Sequence, residues 1–329
     1  MSIRLTIDLV EALAATPTGS SVEIPIDGAD ELALAERWAA ATGNTLLAVH
    51  PHSVEMVRGR VDDPVEALSL ERRPGYRLWV YTNFHCNLAC DYCCVRSSPR
   101  AEPRVITVDD FTDLVDQARS AGVGELFITG GEPFMLLDLD ERIRLAVDAG
   151  LPVTVLTNAS VWNGERRRRL EALPRHCLTL QVSLDSATAP VHDRHRGAGS
   201  FDAAVDGIRL ALDLGFRVRV ASTVAVGESD EDLDGFFDEL GLDPDQRIVR
   251  KIARQGAAND GLVVSRRSLI PEVCVTAEGV WWHPVAAIDP AMKVRDHWSP
   301  LAESIDEIRD EFRLHRIKGD VLASTFPCA

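Results

Sequence analysis

Three cysteines, Cys86, Cys90 and Cys93, fall within eight residues in the spacing C-x3-C-x2-C. Thiolates favour soft metals, and iron–sulfur clusters are held mainly by cysteine. So short a run wraps one face of a small inorganic object. A [4Fe–4S] cube takes four ligands, and with three from this loop its fourth iron stays open to an exchangeable one. Structural zinc is the competing chemistry, and it wants four closed ligands, usually as two separated pairs. The only local fourth thiol is Cys94, which would have to fold back beside Cys93. A cluster of reduced, buried thiols without metal is the other reading left open.

The elements that must position this loop can be read on both sides of it. A strand over 77–82 leads in, and a helix over 108–121 follows. Further strands are expected over 125–129, 153–157, 178–184, 217–226 and 247–252, with helices over 137–149, 164–172, 201–214 and 230–240. Six βα repeats imply a parallel sheet with helices outside. That is too few for a closed eight-fold barrel, so the fold class is α/β, a partial (β/α)6 TIM-like barrel. Ligands on such sheets bind beyond the carboxyl ends of the strands. At those ends stand Gly130-Gly131-Glu132-Pro133, then Thr157-Asn158, then Ser183-Leu184-Asp185, then Ser222-Thr223.

Paired glycines let the backbone pass close to a ligand, and a carboxylate beside them can accept hydrogen bonds from an ammonium group. The cysteine run and the Gly-Gly-Glu-Pro motif are joined by a third string. It reads Ser183-Leu184-Asp185, His192-Asp193, Arg196-Gly197 and Gly199-Ser200-Phe201. Together they resemble the radical S-adenosylmethionine (radical SAM) superfamily, near its SPASM-type group. The resemblance implies one [4Fe–4S] cluster on Cys86, Cys90 and Cys93, with SAM chelated at the open iron. It also implies an electron from a flavodoxin or ferredoxin, a 5′-deoxyadenosyl radical, and hydrogen abstraction from a substrate C–H bond. It places Gly130, Gly131 and Glu132 on the methionyl amino group and Tyr92 against adenine. Ser183 and Asp185 fall near the ribose or substrate, Arg196 on the SAM carboxylate, Asn158 at a further cofactor-facing position, and Ser222 and Thr223 at polar positions that face SAM. Arginine suits that place because its planar fork meets a carboxylate with two bonds. Ser200 reads as the N-cap of the helix at Phe201.

Residues 1–70 read as a small α+β domain of order β-α-β-α-β-β, with a strand over 4–7 and a helix over 9–15. It resembles the bacterial sulfur-carrier fold, but Leu9-Val10-Glu11 stands where that family has its carrier cysteine. Docking or capping is therefore its expected role. Residues 71–255 are the barrel core. The segment 256–329 is expected to form a hairpin turning at Glu278-Gly279 and a helix over 301–312, resembling a reduced twitch extension that covers the barrel's open side. Cys274 and Cys328 are too few to ligate a second cluster, and Cys177 reads as core.

Ordinary hydrophobicity, 46% of 329 residues, and no apolar run of membrane length suit a soluble globular chain without a membrane partner. The first residues lack a signal peptide's basic start and apolar centre. Four of seven cysteines lie in 86–94, a metal-site pattern of a reducing compartment, which implies a cytoplasmic location. A net charge of −16 argues against a nucleic-acid backbone as partner. With no recognisable leader-peptide-binding module and no auxiliary cluster ligands, the expected substrate is a small molecule of specialised metabolism. Arg250, Lys251, Arg254 and Trp282 are its candidate contacts. Two alternatives stand beside it: a peptide-modifying enzyme that uses the first domain for docking, and a non-enzymatic Fe–S electron carrier or sensor.

Overall fold

The computed structural model describes residues 3–59, 63–225, 232–266 and 268–314. Its first elements are α1 (Ile3–Ala15), β1 (Ser21–Pro25), α2 (Gly28–Thr42), β2 (Thr45–His50) and β3 (Ser53–Val57). The strands form an antiparallel sheet of order β1-β3-β2. Leu5, Leu9 and Leu13 of α1 pack with Ile24, Ala35, Ala39, Val54 and Met56 in a core of their own. The expected strand over 4–7 is absent; those residues are the first turns of α1. The four-residue spacing of Leu5, Leu9 and Leu13 is helical, and a strand reading takes only its first half. The order is thus α-β-α-β-β, which departs from the sulfur-carrier order.

The barrel elements follow as β4 (Arg77–Tyr81), α3 (Val108–Ser120), β5 (Glu125–Thr129), α4 (Leu139–Asp148) and β6 (Val153–Thr157). Next come α5 (Gly164–Glu171), β7 (Leu178–Ser183), α6 (Ala189–Arg196), α7 (Ser200–Asp213), β8 (Arg217–Val224), α8 (Leu233–Glu239) and β9 (Arg247–Lys251). Strands β4 to β9 are parallel neighbours in chain order, the arrangement that successive βα units impose. Side chains alternate between faces. Leu78, Val80, Leu126, Ile128, Val218 and Val220 enter the core shared with the helices. Trp79, Tyr81 and Phe127 take the opposite face, where Trp79 stacks on Phe127 at 4.3 Å between centroids. Residues opposite one another in register share a face. The pairs Ser183↔Ala221 and Thr223↔Arg250 therefore put Ser183, Thr223 and Arg250 on one side, and Ser222 on the other.

The C-terminal elements are β10 (Val273–Thr276), β11 (Gly279–Trp281), β12 (Lys293–Arg295) and α9 (Leu301–Leu314). The expected hairpin is present. It extends the sheet, β10 pairing parallel with β4, so the order is β12-β11-β10-β4-β5-β6-β7-β8-β9. The helix packs outside, against α3, where the Leu301 N–H donates to Gln117 Oε1 at 2.8 Å. Its apolar residues Leu301, Ile305, Ile308 and Phe312 find their partners in the helical layer. Cys177 is exposed, in a turn with φ 58, rather than in the core. Cys328 lies outside the described residues. Among the described residues no helix is long and apolar enough to cross a membrane.

Candidate active site

At the carboxyl ends of the barrel strands lies a cavity of about 190 Å³, with Cys86, Cys90 and Cys93 on its wall. The Leu88 N–H points at Cys86 Sγ (3.4 Å), and the Ser97 N–H at Cys93 Sγ (3.2 Å). Such donors favour sulfur as thiolate. Without a metal, burial and then the Glu132 carboxylate push the Cys86 thiol up to about 12, and Cys90 and Cys93 add to the same shift. Burial also raises Cys90, against the opposing pull of Arg196. Cys94 lines the same cavity, with its Sγ 3.9 Å from the Tyr81 hydroxyl, which donates to the Pro284 carbonyl at 2.8 Å. Among the described residues no three His, Cys, Asp or Glu side chains converge to hold a single ion. Three neighbouring thiols around a void, Cys86 and Cys90 lifted by burial and Cys86 and Cys93 met by N–H donors, fit a multi-atom cluster that would draw off their protons.

The glycine pair presses the end of β5 onto this loop. A Cβ on Gly130, whose φ is 153, would stand 2.4 Å from the Asn83 carbonyl oxygen, and one on Gly131 would stand 2.2 Å from that of His85. The Gly131 N–H donates to Asn83 O and the Glu132 N–H to His85 O, each at 3.0 Å. Glu132 is fully buried. Its Oε1 accepts from Phe134 N (3.1 Å) and Thr157 Oγ1 (2.8 Å), and its Oε2 from Asn158 N (2.8 Å). Burial pushes this carboxyl up to about 7, although the three hydrogen bonds pull the other way. Asn158 in turn donates to Asn87 Oδ1 at 3.0 Å, tying the end of β6 to the cysteine loop.

A second buried network closes the far wall. Arg196 Nε donates to Asp185 Oδ2 (2.6 Å) and its Nη2 to Oδ1 (3.0 Å). Tyr92 O–H and Thr223 N–H donate to the same carboxylate. Burial opposes the Asp185 charge, but Arg196 together with the Tyr92 and Thr223 hydrogen bonds outweighs it and holds the carboxyl below its ordinary range. The Asp185 N–H donates to His192 Nδ1 at 3.1 Å. Burial, reinforced by Arg196, pushes His192 down to about 4, so the ring stays neutral and accepts. Helix α6, which carries His192 and Arg196, was not among the expected helices because Ala189–Arg196 lacks an apolar stripe. The available signal was Pro190 just after Thr188, a helix-start pair. The N-cap expected of Ser200 is supplied by Asp193, whose Oδ1 accepts from Phe201 N at 2.8 Å.

One cavity thus gathers Cys86, Cys90, Cys93, Tyr92, Gly130, Gly131, Asn158, Ser183 and Arg196. Glu132, Asp185 and Ser222 are not on its lining. The first two spend their carboxylates on neighbouring N–H and O–H groups, and Ser222 faces away and donates to the Leu184 carbonyl. Thr223 lines the cavity in its place, together with Arg250 and Lys251. Arg254 is exposed, and Trp282 is buried with its N–H toward the Leu269 carbonyl. The chain after β9 seals the rim. The Ala257 N–H donates to Cys93 O at 2.9 Å, and a Cβ on Gly256 would lie 2.3 Å from that oxygen.

Residues 80–240 match the sequence profile of the Radical SAM superfamily. Residues 80–240 therefore form a radical SAM domain, of the class that uses a [4Fe–4S] cluster and SAM. Among curated proteins it is similar to mycofactocin maturase MftC of Mycobacterium ulcerans, 35% identical over 158 residues, 48% of this chain and 42% of the relative. It is also similar to the AdoMet-dependent heme synthase of Methanosarcina barkeri, 33% identical over 141 residues, 43% of this chain and 40% of the relative. The matched segment spans about two-fifths of either relative's length. A solved structure of anSMEcpe with bound AdoMet and Kp18Cys peptide shares the fold, with a TM-score of 0.56 at 12% identity over 73% of this chain and 83% of that one.

Proposed function

We propose that this chain is a radical SAM enzyme whose substrate is a peptide. The observation that carries the catalytic part is one cavity with three mutually neighbouring thiols on one wall and Asn158, Ser183, Arg196 and Thr223 on the others. When bound and reduced by one electron, the cluster and SAM supply a 5′-deoxyadenosyl radical that abstracts hydrogen from the substrate. Cys86, Cys90 and Cys93 are the ligands, with Leu88 and Ser97 N–H groups steadying two of the sulfurs. Gly130, Gly131 and Asn158 form the floor beside the cysteine loop, where SAM would be held. Glu132 holds that floor through the Asn158 N–H, while Asp185 aims Arg196 and Tyr92 into the cavity. The Gly256 seam and the residues after β11 keep solvent from the reacting end. A flavodoxin or ferredoxin is the proposed electron donor, and residues 1–70 a docking surface.

The maturase relative and the peptide seated in a neighbour of the same fold support a peptide over the small molecule expected from sequence. The heme synthase relative keeps the small-molecule reading second. Anaerobic reconstitution followed by SAM and dithionite tests the class. Formation of 5′-deoxyadenosine is expected; zinc in place of iron and sulfide, or an intact cluster with no SAM cleavage, overturns it. Deuterium passing from a labelled peptide into 5′-deoxyadenosine tests the substrate.

A further inference from the structure

The cavity lining holds three cations, Arg196, Arg250 and Lys251, and no aspartate or glutamate. That is the reverse of the chain as a whole, which has 51 acidic and 35 basic residues. A guanidinium drawn partly out of water needs a counter-charge. Arg196 has one in Asp185. Arg250 is half-buried and faces the cavity by its register with Thr223, yet it forms no ion pair among the described residues. The titratable side chains that respond to it include a thiol, Cys94, and an imidazole, His283. Neither balances a cation; His283 is itself buried and kept neutral, pushed down to about 3 by burial and by Arg250. The Tyr81 hydroxyl is committed to the Pro284 carbonyl. The adjoining wall is Ile252, Ala253, Pro284 and Val285, an apolar surface that screens a charge poorly. The iron–sulfur core that the three cysteine thiolates would hold offsets part of their negative charge.

We infer that Arg250 is a specificity-determining residue that receives an anionic group of the substrate, a carboxylate or a phosphate, within the cavity that the cysteine loop lines. The inference rests on the proposed function, because the substrate is taken to be what enters this cavity. On the peptide reading the anion is an acidic side chain, a chain terminus or a phosphorylated residue. Lys251, on the same lining, adds positive potential, and the fork of Arg250 supplies orientation.

The test uses the anaerobically reconstituted protein and small probes. Arginines are labelled with phenylglyoxal and located by peptide mass mapping, alone or with inorganic phosphate, acetate or the neutral acetamide. Phosphate or acetate is expected to slow labelling of Arg250 while acetamide does not, and Arg196, clamped by Asp185, stays slow throughout. Equilibrium dialysis with radiolabelled phosphate is the second measurement, with Arg250→Gln expected to weaken retention by about tenfold or more, the scale of a lost hydrogen bond to a charged group. The inference is overturned if Arg250 labels at one rate with and without both anions, if acetamide protects equally, or if Arg250→Gln binds phosphate as the parent does. Formation of 5′-deoxyadenosine, assayed on the same preparation, separates the two failures. If it forms and the anions leave Arg250 untouched, only the anion site is wrong. If it does not form, the functional reading falls, and the substrate assignment with it.

Discussion

Glu132→Gln in the cluster-free, reduced chain should change how stability depends on pH. Glu132 ionises near 4.5 when unfolded and near 7 when buried in the fold. Below the lower value both states are protonated. Between the two, the unfolded chain loses its proton first, so stability declines as pH rises, and the decline is complete above about pH 7. The gap is worth about 3 kcal/mol. Glutamine cannot titrate. Its amide oxygen can still accept from Phe134 and Thr157, but its nitrogen then meets the Asn158 N–H, donor against donor. That mismatch costs about 1–3 kcal/mol at every pH. Urea unfolding of both proteins should therefore show the variant weaker by about 1–3 kcal/mol near pH 5, with the deficit erased or reversed near pH 8. His192 titrates in the opposite sense in both chains and cancels in the difference. A difference that stays constant across this window refutes the buried, proton-holding carboxyl.

Asp185→Asn removes the counter-charge of buried Arg196 and should cost about 3–5 kcal/mol in urea unfolding, of which the paired change Asp185→Leu with Arg196→Met recovers most. Gly131→Ala drives a Cβ to 2.2 Å from the His85 carbonyl oxygen; a loss of about 1–3 kcal/mol or more and a lower iron content after reconstitution are expected. Cys86→Ala, Cys90→Ala and Cys93→Ala should each lose iron and sulfide on reconstitution. Cys94→Ala, whose thiol faces Tyr81, should keep both.

The cysteine run and the Gly-Gly-Glu-Pro motif could be read directly because ligand spacing and tight approach are local properties of a few consecutive residues. The six parallel strands were legible for a similar reason: runs such as Leu178–Ser183 carry strand periodicity and turn signals within themselves. What escaped was decided between distant segments. Ser222 and Thr223 are equally polar neighbours, and only the register of β8 against β9 shows that Thr223 meets the cavity while Ser222 turns away. Sequence places Glu132 and Asp185 at strand ends but not the N–H groups that occupy their carboxylates, which come from β6, α6 and β8. The parallel pairing of β10 with β4 joins residues far apart in the chain, and no local pattern encodes it. By itself the sequence determined which atoms can hold a metal and how many strands surround it. Tertiary structure alone decided that Arg250 faces the cavity with no ion pair among the described residues, because compensation of charge depends on what packing brings within a few ångströms.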